Sequence, residues 1–268
     1  VSGTISSQIL PPVLVLGADR EPGRAVVAAT AGIRRPIIAT GTDIDALEGL
    51  RRLHPEADLT LIVGDSRDDA HAAALAGAVA ALDRPLAAVI AAIAPPSLRG
   101  RVLDHPVEAL REALDHSLIA HAAAARHLLP LLKRCDRGGA YVMLGGPGSR
   151  SPWAGYGHRS VAAAALRMLA EVLHNEARTL SLRLQLLSVE DAMDDETSPP
   201  TARAIGSKAL SLALCERCTE ATRAVVDYRA QATVCAAPPS AHRALADARA
   251  LLRRLSSPNA THSKDPTP

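Results

Sequence analysis

The chain has 268 residues, 48% of them hydrophobic, a formal net charge of +2, no phenylalanine and a single tryptophan, Trp153. That length suits one large domain with a core of Ala, Leu, Val and Ile, and the interspersed charges give no basis for a nucleic-acid surface. The start of the chain does not read as a signal peptide, and the longest apolar run, LAAVIAAIA at 86–94, is too short for a membrane span, so a cytoplasmic protein with reduced thiols is expected. Lysine occurs only at Lys133, Lys208 and Lys264, and this arginine bias points to a GC-rich bacterial genome.

Short apolar runs alternate with helical segments along the chain. PVLVLG (12–17) reads as a buried strand, and a helix follows from near Pro22. PIIAT (36–40) is a second strand, then a helix from Asp43 to about Leu53. LTLIVGD (59–65) is a third strand, followed by an alanine-rich helix over 67–82. LAAVIAA (86–92) is a fourth, with a long helix from Pro106 to Lys133 behind it. AYVMLGG (140–146) is a fifth strand, and the next helix runs from Gly155 to Leu180. RLQLLSV (183–189), a helix over 200–214 and AVVDY (224–228) complete the pattern.

Six or more strand–helix alternations predict an α/β fold: one Rossmann-like doubly wound parallel sheet of about seven strands, with helices on both faces. The strands are continuous apolar runs, as parallel strands buried on both faces require. The pattern assigns residues 1–237 to this domain and 238–268 to a C-terminal helix and a disordered tail.

In such a sheet, ligands bind beyond the carboxyl ends of the strands. The first loop, GADREPGR from Gly17 to Arg24, has glycines where a tight turn and a close approach to a helix N-terminus need them. This stretch resembles the glycine loop of the short-chain dehydrogenase/reductase family, with Gly17 and Gly23 at the first and third glycines and Glu21 in place of the second. The resemblance runs in order from about residue 12 to 230 and implies an NAD(P)-binding protein acting on a carbonyl or hydroxyl of a small molecule. It implies that Gly17, Asp19, Arg20, Gly23 and Asp65 bind the cofactor. Arg20, with no acid at Thr40 or Gly41, favours NADP(H). The family's oligomer interface falls on helices 106–133 and 155–180, so a homo- or hetero-oligomer is expected.

The catalytic positions diverge. Tyr156 takes the place of the family's proton-transferring tyrosine, but Ser160 stands where a lysine one turn later lowers that tyrosine's pKa. Ser117 and Gly146 occupy the asparagine and serine positions. Gly17, Asp65 and Tyr156 are expected to line one cleft, with Ser160 and Ser117 facing each other across it. Arg159 is a possible substitute cation but reads chiefly as a surface or interface residue, and Ser149 or Ser151 could polarise a substrate oxygen. Ser117 and His121, one helical turn apart, form a weak nucleophile–base pattern. CERC at 215–218 lacks a second ligand pair, so no metal is expected. Three readings follow: a divergent oxidoreductase with impaired or rearranged catalysis, a catalytically silent subunit of a hetero-oligomer, and a non-redox cyclase, isomerase or dehydratase on the same fold.

Overall fold

A computed structural model describes residues 10–94, 98–135, 139–190, 198–215 and 219–229. The first half of the chain alternates Val13–Leu16 (β1), Gly23–Gly32 (α1), Ile37–Gly41 (β2), Ile44–Leu53 (α2), Leu59–Val63 (β3), Asp69–Ala80 (α3) and Ala88–Ala91 (β4). The second half adds Val107–Leu114 (α4), Ala120–Leu132 (α5), Ala140–Gly145 (β5), Gly157–Thr179 (α6), Arg183–Val189 (β6), Pro199–Leu214 (α7) and Val225–Tyr228 (β7). All seven strands join one parallel sheet in the order β3-β2-β1-β4-β5-β6-β7, the doubly wound arrangement that the alternating sequence predicts. The segment 238–268 lies outside the described residues.

Successive side chains of a strand point to opposite faces, so each strand feeds two cores. Val13 and Val15 pack with Val26, Leu47 and Ile205 under α1, α2 and α7. Leu14 and Leu16 pack with Leu75, Leu128 and Leu166 under α3, α5 and α6. Burying such a side chain contributes about 1.5–3 kcal/mol. With no phenylalanine available, Tyr141 fills the centre of the second core; its hydroxyl has no hydrogen-bond partner, and burial pushes its pKa far up. Small residues allow close approach elsewhere: a Cβ on Gly206 of α7 would lie 2.5 Å from the Ala25 backbone of α1.

Two helices, α2 and α3, begin at side-chain caps that the sequence supplies. The Asp43 carboxylate accepts from the Ala46 amide at 3.0 Å, and that of Asp68 from the His71 amide at 2.9 Å. One departure from expectation lies within 106–133. Between α4 and α5, Asp115–Ile119 forms a π-helical turn, which carries one more residue than an α turn. An alanine-rich sequence has no sharp apolar stripe that would register the extra residue. Among the described residues no helix is long and apolar enough to cross a membrane.

The winding reverses at β1, which pairs with β2 on one side and β4 on the other. Leu16 stands in register with both Thr40 and Ala91, which aligns three strand ends beneath a crevice.

Candidate active site and cofactor cleft

The crevice is a cleft of about 370 Å³ whose walls include Gly17, Asp19, Arg20, Thr40, Gly41 and Asp65. Its floor depends on two glycines. Gly17 has φ +70°, and a Cβ there would lie 2.4 Å from the Ala92 carbonyl oxygen. A Cβ on Gly23, the first residue of α1, would lie 2.0 Å from the Gly17 carbonyl oxygen. Gly23 is therefore buried against the loop rather than on the cleft wall, and supports it from beneath.

Three acids surround this floor. The Glu21 carboxylate accepts from the Ala25 amide at 3.3 Å, which places a negative charge at the positive end of α1. An anion bound at that helix end meets this carboxylate. Asp19 is only 5% exposed. Its Oδ2 accepts from the amides of Thr42 at 2.8 Å and Asp43 at 3.1 Å, and from the Thr42 hydroxyl at 3.2 Å. Gly41 makes room for it, since a Cβ there would lie 2.4 Å from the Asp19 Cγ. The Asp19 carbonyl accepts from Arg24 Nε at 3.0 Å and Nη2 at 2.6 Å, which fixes the loop further. Asp65 accepts from the Arg67 amide at 3.2 Å and pairs with its guanidinium at 3.4 Å. Arg20 is exposed at the rim.

Past Ile93 and Ala94, shared by both ends, the crevice shrinks to a pocket of about 20 Å³ lined by Ser117, Gly145, Gly146, Pro147, Arg159 and Leu166. That is room for about one water. Arg159 is 4% exposed, not a surface residue, and its guanidinium carbon lies 5.5 Å from the Trp153 ring centroid. Arg159 shares the buried face of α6 with Ala163 and Leu166, which line the same pocket. Tyr156 is the N-cap of α6, with φ −137° and ψ 44°, so it stands outside the helix and the i,i+4 face-sharing expected with Ser160 does not hold. Ser160 instead accepts from the Trp153 amide at 2.9 Å and donates to the Tyr156 carbonyl at 3.1 Å. It closes the turn before α6, and Arg159, not Ser160, shares the pocket of Ser117.

Tyr156 is not among the residues lining the cleft. Its hydroxyl accepts a hydrogen bond from Arg99 Nε, and the Arg99 guanidinium carbon lies 5.5 Å from its ring centroid. Its ring stacks on Trp153 at 4.0 Å and 18°. The Gly100 amide donates to the Gly155 carbonyl at 3.0 Å and ties the same two loops together. Arg99 has no sequence signal, because it precedes Tyr156 by 57 positions and belongs to no motif.

The remaining candidates separate. Ser149 Oγ lies 3.0 Å from Ser188 Oγ in a second recess of about 440 Å³, which Ser151, Trp153, Glu190 and Arg229 also line. His121 is fully buried, and among the described residues no hydrogen bond joins it to Ser117, so it does not activate Ser117. Burial pushes its pKa down to about 4, which keeps the imidazole neutral near pH 7. Residues 216–218 of CERC lie outside the described residues. Among the described residues no group of three or more His, Cys, Asp or Glu could hold a metal ion.

A family model described as enoyl-(acyl carrier protein) reductase matches residues 23–188. No curated protein matches the sequence. Among solved structures, a short-chain dehydrogenase from Streptomyces avermitilis is 21% identical with a TM-score of 0.69, over 93% of this chain and 96% of that one. A short-chain type dehydrogenase/reductase from Mycobacterium ulcerans is 15% identical with a TM-score of 0.73, over 82% and 88%. An NADPH-bound short-chain oxidoreductase from Pseudomonas aeruginosa PAO1, described as containing an atypical catalytic center, is 16% identical with a TM-score of 0.71, over 84% and 98%. At these identities the similarity shows the fold.

Proposed function

Because the chain belongs to the short-chain dehydrogenase/reductase family, we propose that it is a divergent NAD(P)-binding member whose carbonyl or hydroxyl chemistry is impaired. One observation carries this reading: the Tyr156 hydroxyl is held by Arg99 and its ring by Trp153, off the wall of the cofactor cleft.

A nicotinamide dinucleotide supplies a hydride when bound. The adenosine end fits the 370 Å³ cleft, where Gly17 lets the backbone approach and Asp19, Thr40 and Asp65 stand at the strand ends. The NADPH-bound Pseudomonas aeruginosa oxidoreductase of similar fold supports a nicotinamide dinucleotide as the ligand class. The nicotinamide end does not fit while Arg159 occupies the space beside Ser117. Arg159 keeps its charge at any working pH and can polarise an oxygen, but it cannot pass a proton on. Ser117 can donate a hydrogen bond but is not linked to His121, whose lowered pKa makes it a weak base. A carbonyl in this pocket finds a cation and a hydroxyl, without the relay that general acid catalysis needs.

Purified protein mixed with NADH or NADPH and a panel of small carbonyl compounds tests this. Turnover is expected at least about 10²–10⁴-fold below that of a member with an intact relay, because the lost acid–base catalysis alone contributes that much. Tyr156→Phe is expected to leave that residual rate unchanged. Rapid turnover that Tyr156→Phe abolishes would overturn the reading.

A second reading, the silent subunit of an oligomer, is favoured by α6. Val161, Met168 and Val172 recur at spacings of seven and four along it, and all are exposed. We propose that this stripe, with the helices over 106–133, contacts another chain. Met168→Glu should then convert an oligomer to monomer in light scattering after size exclusion; a wild-type protein already monomeric removes this reading.

A further inference from the structure

We infer that Asp19 makes this cleft select a dinucleotide without a 2′-phosphate, NAD(H) rather than NADP(H). The inference rests on the reading above that the cleft holds the adenosine end of a nicotinamide dinucleotide.

The end of β2 is where a doubly wound sheet meets the adenosine ribose. An acid there accepts from the ribose hydroxyls, and a base there accommodates a 2′-phosphate. The strand supplies neither at Thr40 or Gly41. The acid comes from the first loop. Asp19 reaches across to the turn after β2, and its Oδ2 takes both backbone amides that this turn offers, those of Thr42 and Asp43, together with the Thr42 hydroxyl. These are the donors that a phosphate at this corner would need. Gly41 leaves the space that the carboxylate fills. Oδ1 makes no hydrogen bond among the described residues, and Asp19 lines the cleft. That oxygen is available to accept from a ribose hydroxyl.

A 2′-phosphate here would meet a nearly buried carboxylate and find its donors taken. Like charges brought together away from water repel strongly. The opposite choice is favoured by the missing acid at Thr40 and Gly41 and by two arginines on the cleft wall, Arg20 and Arg67, of which Arg67 is paired with Asp65. Arg20 is exposed at the rim, where solvent and salt screen its charge, whereas Asp19 is shielded from both. Position therefore decides between the two side chains, and it favours the acid.

The test compares ADP-ribose with its 2′-phosphorylated form, by calorimetry on the full chain. Both lack nicotinamide, so Arg159 cannot mask the result. ADP-ribose is expected to bind more tightly, by about ten-fold or more. Asp19→Asn, which removes the charge and keeps an acceptor for the amides, should close most of that gap. Equal or tighter binding of the 2′-phosphorylated ligand to the wild-type protein overturns the inference, and that comparison needs no variant to fold. A gap that Asp19→Asn leaves intact also overturns it. NADH and NADPH are titrated in parallel. If ADP-ribose is preferred but NADH does not bind, the selectivity of Asp19 stands and the nicotinamide reading falls. If no ligand binds at millimolar concentration, both fall.

Discussion

The two ends of the crevice have diverged in opposite ways. The end over β1 and β2 keeps an open volume of about 370 Å³ and is bounded by carboxylates, Asp19, Glu21 and Asp65. The end over β4 and β5 has about 20 Å³ and is closed around a cation, Arg159. Ile93 and Ala94 border both. A shared backbone scaffold thus carries a ligand-sized space and a filled one side by side. The backbone of such a fold is fixed by its two cores, so divergence acts on the side chains that project beyond the strand ends. Binding and chemistry can then be lost separately, because different loops supply them.

The comparison can be broken most severely at its support. Gly23→Ala puts a methyl group 2.0 Å from the Gly17 carbonyl oxygen. It is expected to cost about 3 kcal/mol in denaturant unfolding and to abolish ADP-ribose binding. A Gly23→Ala variant with the stability of the wild-type protein would show that the loop is not held as described.

Acid should act on the closed end. His121, one turn beyond Ser117, has a pKa lowered to about 4 by burial. The unfolded chain, with an ordinary value near 6.5, binds that proton first, so stability is full above about pH 6.5 and falls progressively toward pH 4. The loss attributable to this residue reaches roughly 3 kcal/mol at the acid end. His121→Leu should therefore flatten the decline of the melting temperature between pH 7 and 4.5, and an unchanged decline would exclude His121 as its source.

Charge at the open end has a smaller expected effect. Glu21→Gln removes the carboxylate from the α1 N-terminus and should tighten ADP-ribose binding by about ten-fold at low salt, with the gain shrinking as salt rises. The smallest effect concerns the barrier between the ends. Wild-type protein should bind NADH no more tightly than ADP-ribose, and Arg159→Ala should give NADH an advantage of a few-fold, about 1 kcal/mol. A wild-type preference for NADH would mean that Arg159 does not exclude the nicotinamide.

Much of this was legible in the sequence. The seven apolar runs, bounded by turns and helices, specify the sheet because parallel strands must be apolar on both faces. Gly17 and Gly23 were legible because only glycine fits a left-handed turn or so close a backbone approach. The roles of Asp19 and Arg159 were not. Asp19 acts through Thr42 and Asp43, 23 and 24 residues away, and no local pattern encodes that pairing. Arg159 reads as exposed because of its charge, yet it lies three, four and seven residues before Ala162, Ala163 and Leu166 and so shares their buried face of α6. Tyr156 stands where the resemblance puts the family's tyrosine, but its hydroxyl is bonded to Arg99, a partner that spacing cannot reveal.

The π-helical turn at Asp115–Ile119 makes the wall of the open end intolerant of a change in chain length. Each α-helical residue advances the helix by about 100°. Deleting one residue from this turn and restoring regular α-helix would rotate α4 by about that angle relative to α5. Glu112 and His116 would turn away from the cleft that they now line. Between Val107 and Leu132 the exposed positions can change their side chains, but the chain cannot lose a position without turning the wall of the open end away from its cleft.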